Sequence, residues 1–259
     1  MVEVTVRRTS AAGTPLGGVF SGVFGKQFFD IEARAVASVT PASGFTRAAG
    51  STADVLPIAL DITTWSNLLG QMNNGVDQGF KDQYRFDSSN NSVHSGSDSS
   101  SEVNIYPHTN SSLPSGNRGT VDFGSSNNST ADLKRQIENG LNDYDLSFFP
   151  NNEIKLNDQG ILNVNGDTGI SAGIESSLQS IVGKVRAIPL FISVSGPGNN
   201  AQYTIVKFVG VRIMAVKLTG GPTQRYVRVQ PALYSSRSTI RKDGPMNVDS
   251  ILSKPLLIE

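Results

Sequence analysis

The sequence has no cysteine, which removes disulfides, thiolate zinc sites and cysteine nucleophiles together. That absence leaves the compartment open, because an exported protein need carry no bridge. There is no surplus of either charge. Lys+Arg and Asp+Glu are both 22, so the formal net charge is zero. Binding to a phosphate backbone calls for a basic excess, so nucleic acid is not an expected partner. Charged residues make up only 17% of the chain, against abundant Gly, Ser and Asn. A neutral, polar surface of this kind is associated with exported β-rich proteins more than with cytosolic enzymes. No run is long and apolar enough to span a bilayer. His94 and His108 are the only histidines.

What is present is a chain of 259 residues, enough to bury a substantial core as one large domain or two small ones. Its organising stretch is Val185–Ala232. The β-branched and aromatic run Val185–Val194 is followed by Gly196-Pro197-Gly198-Asn199-Asn200, a turn sequence. Tyr203–Leu218 then carries apolar residues on both faces, the mark of a central strand. Alternation places Ile205, Val209, Val211 and Ile213 on one face and Val206, Phe208, Met214 and Val216 on the other. After Gly220-Gly221-Pro222, Arg225–Gln230 alternates as a half-exposed strand does. The short returns imply an antiparallel meander.

Around this meander the pattern predicts further strands at Val2–Thr9, Phe28–Val39, Val103–Tyr106, Gly119–Phe123, Leu146–Phe149, Glu153–Leu156 and Ile161–Val164, and a strand beginning at Tyr84–Phe86. Pro15–Gly25 reads as a hydrophobic strap packed on the sheet. A helix over TTWSNLLGQM begins at a cap, Asp61 or Thr63, with Trp65, Leu68, Leu69 and Met72 buried and Gly75 as its stop. Ser129 with Asp132 three residues on resembles a capping box for a helix ending at Gly140. Ser171–Val182 is a further helix, stopped by Gly183. Asp87–Glu102 is so polar that it reads as a long hairpin tip or a mobile loop. The expected fold is therefore α+β, mainly antiparallel sheet with two or three short amphipathic helices and long polar loops. Residues 1–232 are expected as one domain with a sub-boundary near 40–54, and 233–259 as a loosely attached polar tail.

Several motifs suggest chemistry. Gly169-Ile170-Ser171-Ala172-Gly173 fits G-x-S-x-G, but the base histidine of that elbow follows the serine, and both histidines here precede it. Gly196–Ala201 fits G-x-G-x-x-A, yet a strand rather than a helix follows. His94 and His108 lack metal-ligand spacing. Asp87, Asn90, Asn91 and Asp98 are hard oxygen donors for calcium, without the D-x-[DN]-x-[DN]-G order. Asn90, Asn110, Asn127 and Asn128 each open an N-x-S/T tripeptide. Asn163–Gly169 offers side-chain caps and free N–H groups ahead of a helix, and reads as that helix's cap. No catalytic, cofactor-binding or metal-binding residue is assigned.

The succession of short motifs resembles the Tad pilus-assembly TadE/TadG-like family. The resemblance rests on Val4–Arg8, Phe20/Val23/Phe24-Gly25, Phe29–Ala37, Leu56–Asp61 with Trp65, Gly119–Gly124, Asn127–Thr130, Asn165–Gly173 and Val194–Asn200. Together these cover most of Val2–Gln230 in order. The resemblance implies a non-enzymatic, structural component of a secreted or pilus-type envelope system, periplasmic or extracellular. It implies other envelope or pilus-assembly proteins as partners, self-association included, and no cofactor. It also implies an N-terminal transmembrane anchor. This sequence lacks such a helix and opens on a strand pattern, so it reads as an excised domain whose anchor has been removed. The alternative is a hydrolase or carbohydrate-active enzyme using paired carboxylates drawn from Asp61, Asp77, Asp122 and Asp167.

A serine without an adjacent base is a poor nucleophile at neutral pH. Treatment with a fluorophosphonate probe followed by mass spectrometry is therefore expected to leave Ser171 unlabelled. Covalent labelling there reopens the hydrolase class.

Overall fold

The computed structural model describes residues 2–17, 28–48, 52–106, 119–124, 129–166, 172–196, 200–247 and 249–257. It is α+β with mostly antiparallel pairing. The chain forms two compact units: residues 1–40 with 254–259, and residues 41–253. The division falls at Thr40/Pro41, at the start of the 40–54 connection.

The smaller unit is a three-stranded sheet. Ile31–Ser38 lies in the middle, Val2–Arg8 pairs antiparallel on one side and Leu256–Leu257 on the other. The register sets Val4 opposite Ala35 and Val6 opposite Ala33. The Pro15–Gly25 strap lies mostly outside the described residues. Of it, Leu16–Gly17 pairs with Phe28–Phe29.

The larger unit is built on the 17-residue strand Ala201–Lys217. Val185–Ser195, Tyr226–Pro231 and Leu162–Gly166 all pair with it antiparallel. Val103–Tyr106 extends the sheet beyond Tyr226–Pro231, and Leu60–Asp61 closes the other side by parallel pairing with Leu190–Phe191. The meander and its central strand are as the alternation implies, except at two register shifts. Beyond the one between Ile213 and Ala215, Val216 packs with the cluster of Val209, Val211 and Ile213. The other is at Val206, since Leu190 faces Lys207 while Phe191 faces Ile205. An extra residue in one strand reverses the facing of everything beyond it. Ile205 and Tyr203 consequently join the cluster of Phe208, whereas Val209, Val211 and Ile213 face the other way.

Those two clusters form the core. One packs the sheet against the helices Ile62–Asn74 and Thr130–Asn139 and the segment around Ile174 and Leu178. The other packs it against the small antiparallel sheet of Glu153–Lys155, Ala42–Thr46 and Thr239–Arg241, with Phe45 edge-on to Phe208 at 5.1 Å. The helix caps follow from their residues. Asp61 accepts from Thr64 N at 2.9 Å, and Gly75 ends that helix at φ +68°. Ser129 and Asp132 complete a reciprocal capping box.

Five expectations change. Gly119–Phe123 is not a strand, since Thr120 and Val121 make only single bridges, to Ile58 and Gly166. Leu146–Phe149 is not a strand, because Asn142 and Asp145 form a second capping box that turns Asp143–Leu146 into a helix. The Ser171–Val182 helix is shorter, a 3-10 turn at Ala172–Ile174 leading into Glu175–Gln179. Residues 87–102 are not a free loop. Tyr84–Asp87 and Ser92–Ser95 form a hairpin, and Asp82 accepts from Ser97 Oγ, Asp98 N and Ser99 N at 2.5, 3.1 and 2.7 Å. The Arg212 guanidinium lies 3.5 Å above the Phe86 ring. Charge-assisted hydrogen bonds hold this polar segment where apolar burial cannot. The described residues between 233 and 253 are not a loosely attached tail either. Tyr234 and Ile251 are buried, Thr239–Arg241 pairs with Ala42–Thr46, and Asp249 accepts from Trp65 Nε1 at 2.9 Å and Lys207 Nζ at 2.5 Å. Such long-range polar partners leave no periodic signal.

Gly210 marks where that C-terminal segment meets the central strand, since a Cβ there would sit 2.7 Å from Tyr234 Cβ. Gly210→Ala is expected to destabilise the fold by about 1–3 kcal/mol in urea unfolding, because backbone as well as side chain must shift. An unchanged midpoint would mean the segment is free to move aside.

Candidate functional site

Of the four carboxylates of the paired-acid reading, the three among the described residues each serve a structural hydrogen bond. Asp61 caps a helix, and Asp77 accepts from Gly79 N at 2.8 Å in the turn beyond it. Asp122 is buried and accepts from Asn165 Nδ2 at 2.8 Å. Asp167 lies outside the described residues, as do Gly169, Ile170 and Ser171. Of the G-x-G-x-x-A stretch, residues 197–199 also lie outside. Its flanks pair antiparallel, Ser195 opposite Gln202, so it closes a hairpin.

His108, Asn110, Asn127 and Asn128 are likewise outside. His94 Nε2 is 2.7 Å from Ser92 Oγ on an exposed strand, which resembles a nucleophile–base pair. The same hydroxyl donates to Asn90 Oδ1 at 2.6 Å. A hydroxyl has one proton, so while it is given to Asn90 it is not given to Nε2. The calcium-type oxygens serve as turn caps. Asp87 Oδ1 accepts from Ser89 N and Oγ at 2.9 and 2.6 Å, which holds its carboxyl below the usual range. Asp98 accepts from Ser100 N at 3.1 Å and from Gln230 Nε2 at 3.3 Å. Among the described residues no three acidic or histidine side chains come together as a metal-binding group.

The site that the fold does assemble is a cleft of about 670 Å³ in the larger unit, lined by Arg47, Thr52, Asp54, Asp143, Tyr144 and Ser236 among others. Its two walls are joined through the backbone. Ala53 N donates to Leu141 O at 3.2 Å and Leu141 N to Ala53 O at 2.8 Å. Gly140 makes that approach possible, at φ +76° and with room for no Cβ. One would lie 2.8 Å from Ala53 O, 2.9 Å from Thr52 Oγ1 and 3.0 Å from Asp54 Oδ1. The capped turn that follows leaves Asp143 and Tyr144 at the surface. Asp143 pairs with Arg47 across the cleft, and Tyr144 stacks edge-on with Phe148 at 5.2 Å.

Beneath Asp54 the environment is dry. The Arg186 side chain is only 9% exposed and its nearest nitrogen lies 4.0 Å from Asp54 Oδ2. Its Nη1 donates to Val185 O at 3.2 Å, while Nε has no partner. The Tyr234 hydroxyl is close to Ser236 and the Asp54 backbone without a well-formed hydrogen bond to either. Burial first, and the Asp54 charge second, push the Tyr234 phenol up from 10.0 to about 12.

The cleft thus combines an exposed tyrosine, Tyr144, with both signs of charge. Little in the sequence pointed to it. Arg47 and Asp143 are 96 residues apart, and the local signal was only Asn142 with Asp145 three positions on. No helix among the described residues is long and apolar enough to cross a membrane. No protein-family model matches the chain, and no curated protein or solved structure is similar to it.

A raised tyrosine pKa means that the native state holds its proton where the unfolded state has lost it. Stability from this group is complete below about pH 10 and falls as pH rises towards 12. Two pH units correspond to a loss on the order of 3 kcal/mol. Tyr234→Phe is expected to flatten this alkaline limb in denaturation measured at successive pH values. An equally steep limb in the variant assigns it to other groups.

Proposed function

We propose that this chain is a non-enzymatic structural or assembly component of a secreted or pilus-type cell-envelope system, as its resemblance to TadE/TadG-like proteins implies. It works outside the cytoplasm and docks to protein partners. The observation that carries this reading is the ribbon of Val2–Arg8 and Ile31–Ser38. Val4, Val6 and Ile31 are 54, 60 and 47% exposed. The register puts Val4 and Val6 on one face with Ala33 and Ala35. Apolar side chains grouped on one exposed sheet face mark an interaction surface more than an inert one. A neutral surface poor in charge agrees with such a role. The carboxylates Asp61, Asp77 and Asp122, held by structural hydrogen bonds, agree with it too.

A second reading, a hydrolase or carbohydrate-active enzyme, draws on the cleft. Asp54 and Asp143 line the same concavity beside Tyr144, a pair that sequence spacing did not select. Asp143 is held in an ion pair with Arg47, so the cleft presents both signs of charge to a polar ligand.

A photo-crosslinking residue placed at Val6 is expected to capture protein in the cells that make this chain, and one at exposed Asn73 to capture far less. Equal capture at both positions removes the ribbon from the argument. Turnover of a polysaccharide or peptide that disappears in Asp54→Asn, with the fold unchanged, would replace this reading by the enzymatic one.

A further inference from the structure

Val2–Arg8 pairs on one side only, with Ile31–Ser38, so it is an edge of its sheet among the described residues. Residues 4–8 are all exposed. An exposed edge carries a row of hydrogen-bonding groups ready to accept another strand. Proteins that stay monomeric blunt such edges with prolines, bulges or inward-pointing charges. This one has no proline, and its pairing with Ile31–Ser38 runs without a register shift.

We infer that the occupant of this edge is a second copy of the same chain, its Val2–Arg8 strand running antiparallel about a two-fold axis at Thr5. This rests on the reading of the ribbon as a docking face and names the partner of that face. The sequence VEVTVRR is what selects the copy. Centred on Thr5, the register sets Val4 opposite Val6 and Glu3 opposite Arg7, with all seven residues paired. Opposed residues in an antiparallel ladder share a face, so apolar meets apolar at Val4/Val6 and acid meets base at Glu3/Arg7, while Val2 meets Arg8 only at the two ends. A slip of one residue sets valine against charged or hydroxyl partners and reverses the faces. Centring on Val6 puts Arg7 opposite Thr5. Centring on Val4 leaves Arg7 outside the ladder. Of these registers only the one centred on Thr5 matches the inner rows of both faces, and it maps onto itself under two-fold rotation, as an isologous interface requires.

The assembled pair is a continuous sheet through the two ribbons. The apolar face doubles in width, with Val4 and Val6 of both copies at its centre. Arg7, which already pairs with Glu32 at 3.0 Å within one copy, gains a second acid across the axis. Seven residues of edge bury little surface, so the association is expected to be weak and concentration-dependent.

A chain without cysteine gives a direct reading of the register. Thr5→Cys places one thiol on the axis, where opposed Cα atoms lie within disulfide reach. Arg7→Cys places its thiols four residues apart along the ladder, about 13 Å, beyond that reach. The full chain carrying Thr5→Cys, oxidised at high concentration, is expected to run as a covalent dimer on a non-reducing gel, several-fold more abundant than for Arg7→Cys. Sedimentation supplies the second test. Arg7→Glu is expected to lose the dimer, and adding Glu3→Arg to restore it, although the swap does not restore the bond to Glu32. Equal cross-linking at both positions, or a swap that rescues nothing, overturns the self-pairing. If the chain stays monomeric while the Val6 cross-linker captures a different protein, the docking reading stands and its partner is another chain. If nothing is captured either, both fall.

Discussion

The backbone ladder of Ala201–Lys217 is the constraint on which the larger unit depends. It holds three strands directly, and through them the two outer ones. Its register shifts, at Val206 and again between Ile213 and Ala215, decide which side chains reach which half of the core. Each fully buried Val, Ile or Phe stabilises the fold by roughly 1.5–3 kcal/mol relative to exposure. A one-residue error here would turn several of them outward together. The close approach of Tyr234 at Gly210 and the edge contact of Phe45 with Phe208 depend on the same facing.

A polar network holds the neighbouring layer. Asp145 is 1% exposed and receives Arg135 through two bonds of 2.8 and 2.6 Å. It also accepts from Gln136 Nε2 at 3.0 Å and from Asn142 N at 2.9 Å. A buried carboxylate is tolerable only when satisfied in this way, and removing one partner from such a pair commonly costs about 3–5 kcal/mol. The network fixes the turn after Gly140, and the turn sets Asp143 and Tyr144 at the cleft. The position of the cleft's outer wall thus follows from a buried charge that never touches solvent.

The same physics organises the serine-rich hairpin. Low apolar content predicts mobility when burial is the only source of order. Asp82, Asp98 and Glu102 supply another, each accepting from backbone N–H groups of that region. Burial pushes the Glu102 carboxyl up while its bonds to the Gln83 and Tyr84 N–H groups oppose that shift. Within this chain, short polar segments are held by carboxylates rather than by a larger core. This is how a sequence with so few charges uses most of its acids.

The sequence by itself determined whatever repeats within a few residues. The meander from Val185 to Gln230, the caps at Asp61 and Ser129, and the glycine stops at Gly75 and Gly140 are local periodicity and local hydrogen bonding, and they can be read off directly. The alternation of Val2–Arg8 likewise fixed which residues share the ribbon's exposed face. Tertiary structure alone decided the rest. The bulge at Val206 depends on what the neighbouring strand offers. The order in residues 82–102 and the anchoring of Tyr234 and Asp249 depend on partners tens to hundreds of residues away. The cleft exists only because Ala53 meets Leu141, a contact between two segments whose own patterns carry no trace of each other.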